Sequence, residues 1–271
     1  MTLDPVVSLS AAIAEAPGSY AFVLGSDVSS DAGVPTGQEM FWRAVAELYR
    51  TAHAAEEMPG EEELARWLAE ISLRAKLTYS EVLEEVAPDA PTRRAYLAKH
   101  FAQVEPGPTH ELLAQLAERG LVRVFVTTNF DRLLERALQA RGIEPLVITS
   151  DADVASAPNR EHADCVVLKP HGDYLQENIR NTPAELAELE PGMTTELQEV
   201  VDRYGLVVLG YSGSDEALSN ALRRRTNRYG LYWVARAELA EPARGLVEAV
   251  GGRLIVRRNA SEFLGELERA A

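Results

Sequence analysis

The chain has 271 residues, 46% of them hydrophobic and 25% charged. That suits one or two ordinary globular domains with ample core, and excludes a collagen, a disordered chain or a disulfide scaffold. Against 42 acidic side chains stand 27 Lys and Arg, a net charge of −15 that repels phosphate backbones and anionic lipid, so direct nucleic-acid or membrane binding is not expected as the main task.

The start, Met1-Thr2-Leu3-Asp4-Pro5, carries no Lys or Arg ahead of an apolar stretch and does not read as a secretory signal. No apolar run approaches the ~18 residues of a membrane span, so the cytoplasm is the expected location. Tyr20 to Leu24 is the first short apolar run. Leu121 to Thr127, Pro145 to Thr149, Cys165 to Leu168, Leu206 to Leu209, Leu231 to Val234 and Arg253 to Val256 follow it. Several are continuously apolar, as strands covered on both faces are. Helical patterns separate them: Leu112, Leu113 and Leu116 are closed by Gly120, and Leu133, Leu134 and Leu138 by Gly142. The alternation predicts an α/β fold with a doubly wound parallel sheet.

Residues 37 to 105 break the alternation. Phe41, Val45, Leu48 and Tyr49 share a helical face, as do Leu64, Trp67, Leu68 and Ile71. The Glu61-Glu62-Glu63 run reads as a solvated helix start, Pro91 after Asp89-Ala90 opens another helix, and Pro106-Gly107-Pro108 ends the segment. We expect one domain over residues 1–271 with a helical insertion at 37–105. A second helical pair is predicted between Thr182 and Tyr204, split at Pro191-Gly192. Arg223, Arg224, Arg225 and Arg228 read as a basic helix end. The single cysteine, Cys165, excludes an internal disulfide and a CxxC zinc module; beside Val166-Val167-Leu168 it reads as a buried, inert thiol.

Four polar segments follow strand candidates. Gly25 to Gly37, with Ser26, Asp27 and Ser29, could aim backbone N–H groups and hydroxyls at a phosphate, or could be a plain connecting loop; it fits neither the Walker nor the GxGxxG pattern. Thr127-Thr128-Asn129-Phe130-Asp131 could serve a ligand, or Asp131 or Asn129 could simply cap the Leu133 helix. Lys169-Pro170-His171-Gly172-Asp173 places a histidine where α/β sheets bind ligands. Gly210-Tyr211-Ser212-Gly213-Ser214-Asp215 allows close backbone approach and offers Asp215 as a cap, but is no GxSxG nucleophile elbow. His110-Glu111 lacks the second histidine of HExxH, and the five histidines never take metal-ligand spacing.

In their order along the chain the four segments resemble the sirtuin signatures. Gly25 to Thr36 is similar to G-A-G-x-S-x-x-[SA]-G-[IV]-P, Thr127 to Asp131 to T-Q-N-[IF]-D, His171-Gly172 to H-G, and Gly210-Tyr211-Ser212 to G-T-S. Ala32 to Gly37 and Asn129 to Glu135 look most like the sirtuin-like domains of bacterial antiphage defence proteins. The resemblance implies a Rossmann-like fold and hydrolysis of NAD to ADP-ribose and nicotinamide, the NAD being substrate. Gly25, Ser26, Asp27 and Ser29 would line its phosphates and ribose, with Thr128 beside them. Asn129 would hold the ribose or the attacking water, Asp131 the nicotinamide side, and His171 would be the base. Gly210, Tyr211 and Ser212 would meet the adenosine half.

Two departures matter. One cysteine cannot build the four-cysteine zinc module of the deacetylase sirtuins, so no zinc is expected and a protein deacylase is the weaker alternative. Asp27 replaces the second glycine of G-A-G, where a carboxylate ~4 Å from a phosphate would cost about 4 kcal/mol at an effective dielectric of 20. This supports a second alternative, a nucleotide-binding sensor module without turnover. An effector of this kind further implies a separate sensor or trigger protein, or an excised catalytic domain, and a homo-oligomer is expected. Asn129→Ala and His171→Ala are both expected to abolish cleavage with little change in melting temperature.

Overall fold

The computed structural model describes residues 4–53, 57–72, 77–157, 163–176, 179–226 and 229–271. Its strands are β1 (Tyr20–Leu24), β2 (Val124–Thr127), β3 (Leu146–Ile148), β4 (Val166–Leu168), β5 (Gly205–Leu209), β6 (Leu231–Ala235) and β7 (Arg253–Val256). They form one sheet in the order β3-β4-β2-β1-β5-β6-β7, with every pairing parallel. All seven apolar runs are strands. The second is shorter than its apolar pattern, because the N–H groups of Leu121 and Val122 bond back to the Leu116 carbonyl and finish the preceding helix.

Helices cover both faces. On one side lie α1 (Pro5–Glu15), α6 (Pro108–Glu118), α7 (Leu133–Ala140) and α13 (Ala260–Ala270). Their Leu9, Ile13, Leu113, Leu116, Leu138 and Phe263 pack on Phe22, Leu24 and Phe125. On the other lie α8 (Asp151–Ser156), α10 (Pro191–Arg203), α11 (Glu216–Arg223) and α12 (Ala243–Val250). Leu197, Val201, Leu218, Leu222 and Leu246 there meet Ala21, Val23, Val208 and Trp233. Successive β1 residues therefore serve opposite layers, which is why the run has no polar position. Pro191 is the first residue of α10, so the predicted split from α9 (Pro183–Ala187) falls just ahead of it. Helix α1 has no counterpart in the sequence reading. Asp4 caps it by accepting from the Val6 N–H. Arg228 lies outside the described residues.

After β1 comes a 3-10 turn (Ser26–Ala32), then α2 (Gly37–Ala52), α3 (Glu61–Ile71), α4 (Tyr79–Val86) and α5 (Ala90–Phe101). The described residues between 37 and 104 hold helices and no strand. Reciprocal Thr36–Glu39 and Thr78–Glu81 hydrogen bonds start α2 and α4, and Asp89 caps α5. The segment has its own small core of Ala44, Val45, Tyr49, Leu64, Leu68 and Val82. Met40, Leu83, Leu97 and Phe101 pack instead against Val34 and Leu133, at the sheet's carboxyl edge. Ile71, expected on the buried stripe, is exposed because α3 ends there. Among the described residues no helix is long and apolar enough to cross a membrane.

Candidate functional site

The chain runs from β1 to its neighbour β2 on one side and later returns to β5 on the other. That reversal opens a crevice beyond the carboxyl ends of the strands, where open α/β sheets take ligands. The β1 and β5 turns meet there. The Gly25 N–H donates to the Leu209 carbonyl (2.9 Å) and the Asp27 N–H to that of Gly210 (3.3 Å). A Cβ on Gly25 would lie 2.6 Å from Tyr211 Cα, and one on Gly210, whose φ is +63°, 2.8 Å from Val28 N. These glycines thus let two turns close on each other; the close backbone approach expected at Gly210 is to the β1 turn. Gly25→Ala should cost roughly 1–3 kcal/mol, seen as a lower denaturation midpoint. An unchanged midpoint would mean that the turns can separate freely.

Beneath the turn lies a buried network. The Gly107 N–H donates to His110 Nδ1 (3.2 Å), so the neutral ring carries its proton on Nε2, which faces Ser29 Oγ at 3.3 Å. Asn129 Nδ2 also donates to Ser29 Oγ (3.1 Å), and the Ser29 hydroxyl donates to Asp131 Oδ2 (2.8 Å). Ser29 is fully buried and saturated. It positions Asn129 and Asp131, and its side chain does not line the crevice as the signature implied. Asp131 is buried too, and its second oxygen accepts from the Leu133 N–H (3.0 Å) at the start of α7, whose cap position is Arg132. Asn129 is half-buried, with Nδ2 also donating to the Gly25 carbonyl (3.2 Å). Its Oδ1 is enclosed and has no partner among the described residues.

Burial lowers the His110 pKa, against the pull of Asp131 and Asp31. The unfolded ring takes up a proton near the ordinary value of about 6.5 that the folded ring refuses, so His110 withdraws stability as pH falls below that value. The stability gap between the wild type and His110→Asn should therefore narrow from about pH 7.5 to pH 5.5 in denaturant titrations. Parallel curves would refute this.

His171 is also buried, and its Nε2 is bonded to Asp215 Oδ2. Burial would raise the Asp215 carboxyl, but the hydrogen bond from His171, and that ring's charge when it is protonated, hold it below the usual range. Asp215 also caps α11 by accepting from the Leu218 N–H (2.7 Å), as expected. Tyr211 is buried against Trp233, with its hydroxyl bonded to the Asp215 backbone. Its side chain thus supports α11 from beneath the site. The loops after β2 and β4 are joined by Lys169, which is fully buried and donates to the Asp131 carbonyl and to Glu135 and Asp173, both at 3.0 Å. Among the described residues no hydrogen bond joins His171 to Asn129.

Ser26 and Ser212 are exposed at the rim, with Asp27, Thr128 and Gly210 half-buried. Asp27 is no bare carboxylate: it is ion-paired to Arg236, just beyond β6. The repulsion expected from it is therefore offset within the protein. Outside this edge Cys165 is buried, as expected, with its thiol pushed up to about 12 by desolvation. The sequence reading weighed His110 only as a metal ligand and gave Lys169 and Arg236 no role. A lysine closing an apolar strand, followed four residues on by Asp173, was the available sign of a buried charge cluster.

The fold and its edge cluster define the class, a sirtuin-like Rossmann fold. Residues 123–255 match the model of the SIR2-like domain family, and the chain is sirtuin-like, as its four segments imply. Over 205 residues it is 25% identical to defense-associated sirtuin 2 of Bacillus subtilis, covering 73% of this chain and 18% of that protein. The chain thus spans less than a fifth of that relative's length. In fold it is similar to a Sir2 homologue in complex with NAD (TM-score 0.56, 18% identity, 99% of this chain and 94% of that one). A Sir2 homologue mutant in complex with ADP-ribose gives the same score and identity over 97% and 95% of the two chains.

Proposed function

We propose that this chain is an NAD hydrolase, the effector of a bacterial antiphage system, released by a separate sensor protein. In this reading residues 1–271 form one sirtuin-like domain with its helical insertion at 37–105. One observation carries the reading: Asn129, tied through its amide to Gly25 and Ser29 at the crevice, keeps an enclosed acceptor oxygen with no partner among the described residues. An unpaired buried acceptor is costly unless a ligand or water satisfies it. A ribose hydroxyl or the attacking water does so here. The glycosidic C–N bond breaks with its electron pair leaving on nicotinamide, and water oxygen bonds to the ribose carbon, giving ADP-ribose and one proton. The bond to Asp215 puts the His171 ring proton on Nε2 and leaves Nδ1, which has no partner among the described residues, as the basic nitrogen. Similarity to an NAD complex and to a defence-associated sirtuin supports the substrate and the setting.

The burial of His171 favours a second reading, in which the site holds NAD or ADP-ribose without turnover. Calorimetric titration with both nucleotides, followed by assays of nicotinamide release with and without an acyl-lysine peptide, separates the readings. Release without peptide supports the hydrolase, binding without release supports the sensor, and release only with peptide supports a deacylase.

A further inference from the structure

The crevice has one feature that neither the signatures nor the chemistry above accounts for. Arg236 follows β6, yet its guanidinium reaches past β5 to the β1 turn, where both Nε and Nη2 approach the Asp27 carboxylate. The fork that holds a carboxylate this way also suits a phosphate. Asp27 is fixed in place at its backbone by the Gly210 carbonyl, while Arg236 remains more than half exposed. Arg236 also borders a cleft of about 470 Å³ between the 3-10 turn and α2, lined by Ser30, Thr36, Trp42 and Arg43 and by the carboxylates Glu39 and Glu61.

We propose that Arg236 is the phosphate-binding cation of the site, and that Asp27 occupies it in the free protein as an internal stand-in for the ligand's diphosphate. Binding exchanges carboxylate for phosphate on one guanidinium, so affinity is set by their competition. This rests on the nucleotide reading above. Asp27 therefore weakens binding by engaging Arg236, in addition to any direct repulsion of the ligand.

The test is calorimetric titration of ADP-ribose and of adenosine into the wild type, Asp27→Asn, Arg236→Gln and the double variant. Asp27→Asn should bind ADP-ribose about tenfold more tightly than the wild type, and adding Arg236→Gln should reverse that gain by about tenfold or more. Adenosine, which has no phosphate, should bind Asp27→Asn and the double variant equally. Equal affinity of those two proteins for ADP-ribose would overturn the role of Arg236 while leaving the nucleotide site standing, and so would a parallel loss of adenosine. If none of the four proteins bound ADP-ribose or NAD, the nucleotide reading itself would fall, and this inference with it.

Discussion

Asn129→Ala should lower nicotinamide release by ~100-fold or more while shifting the melting temperature only slightly. The asymmetry follows from its contacts. The Asn129 amide makes two hydrogen bonds, to Gly25 and Ser29, and both acceptors keep other partners when it is removed. The oxygen has nothing to lose in the protein, because it has no partner among the described residues. Deleting the side chain therefore removes a group that a ligand or water uses and little that the fold uses. Near wild-type release in this variant would remove Asn129 from the chemistry.

His171 behaves differently. The expectation that His171→Ala changes the melting temperature little is revised, because the ring is buried on Asp215 and its removal strands that carboxylate. Leaving such a group unpaired costs roughly 1–3 kcal/mol. His171→Gln, which can still donate to Asp215, is the variant that isolates the base from the scaffold.

The largest effect on stability belongs to Lys169. Its ammonium is fully buried between Glu135, Asp173 and the Asp131 carbonyl. Arg132 adds a second cation 3.2 Å from Asp173. Burial alone would depress the lysine pKa, but Glu135, Asp173 and Asp131 outweigh it and raise it, so the amine is charged. Lys169→Ala would leave Glu135 buried without its cation and Asp173 with Arg132 alone, and losing one partner of such a cluster costs about 3–5 kcal/mol. At ~2–4 °C per kcal/mol for a domain near this size, the melting temperature should fall by roughly 6–20 °C. Because Lys169 ties the loop of His171 to that of Asn129, release should fall too. A drop of only a few degrees in a thermal melt would show that water reaches the cluster and solvates it.

The layers of this fold were legible in the chain itself. Continuous apolar runs such as Tyr20 to Leu24 announce strands covered on both sides. The three-and-four spacing of Leu112, Leu113 and Leu116, stopped by Gly120, announces a covering helix. The positions of Asn129 and His171 at strand ends could be read for the same reason, since each directly follows an apolar run. Helix α1 escaped because its residues are apolar nearly all round, with Val7 left exposed, so no clean stripe marks it.

What any polar residue touches was decided only by the tertiary structure. Ser29, His110, Asn129 and Asp131 are separated by as many as 102 positions yet share one network. Asp27 and Arg236 lie 209 positions apart and form one ion pair. Periodicity reports which face of an element is buried, because burial of apolar surface is non-directional and depends on spacing alone. A hydrogen bond or an ion pair depends on distance and direction between particular atoms. Those are set by how the turns at the strand ends fold over the sheet, which local spacing does not encode.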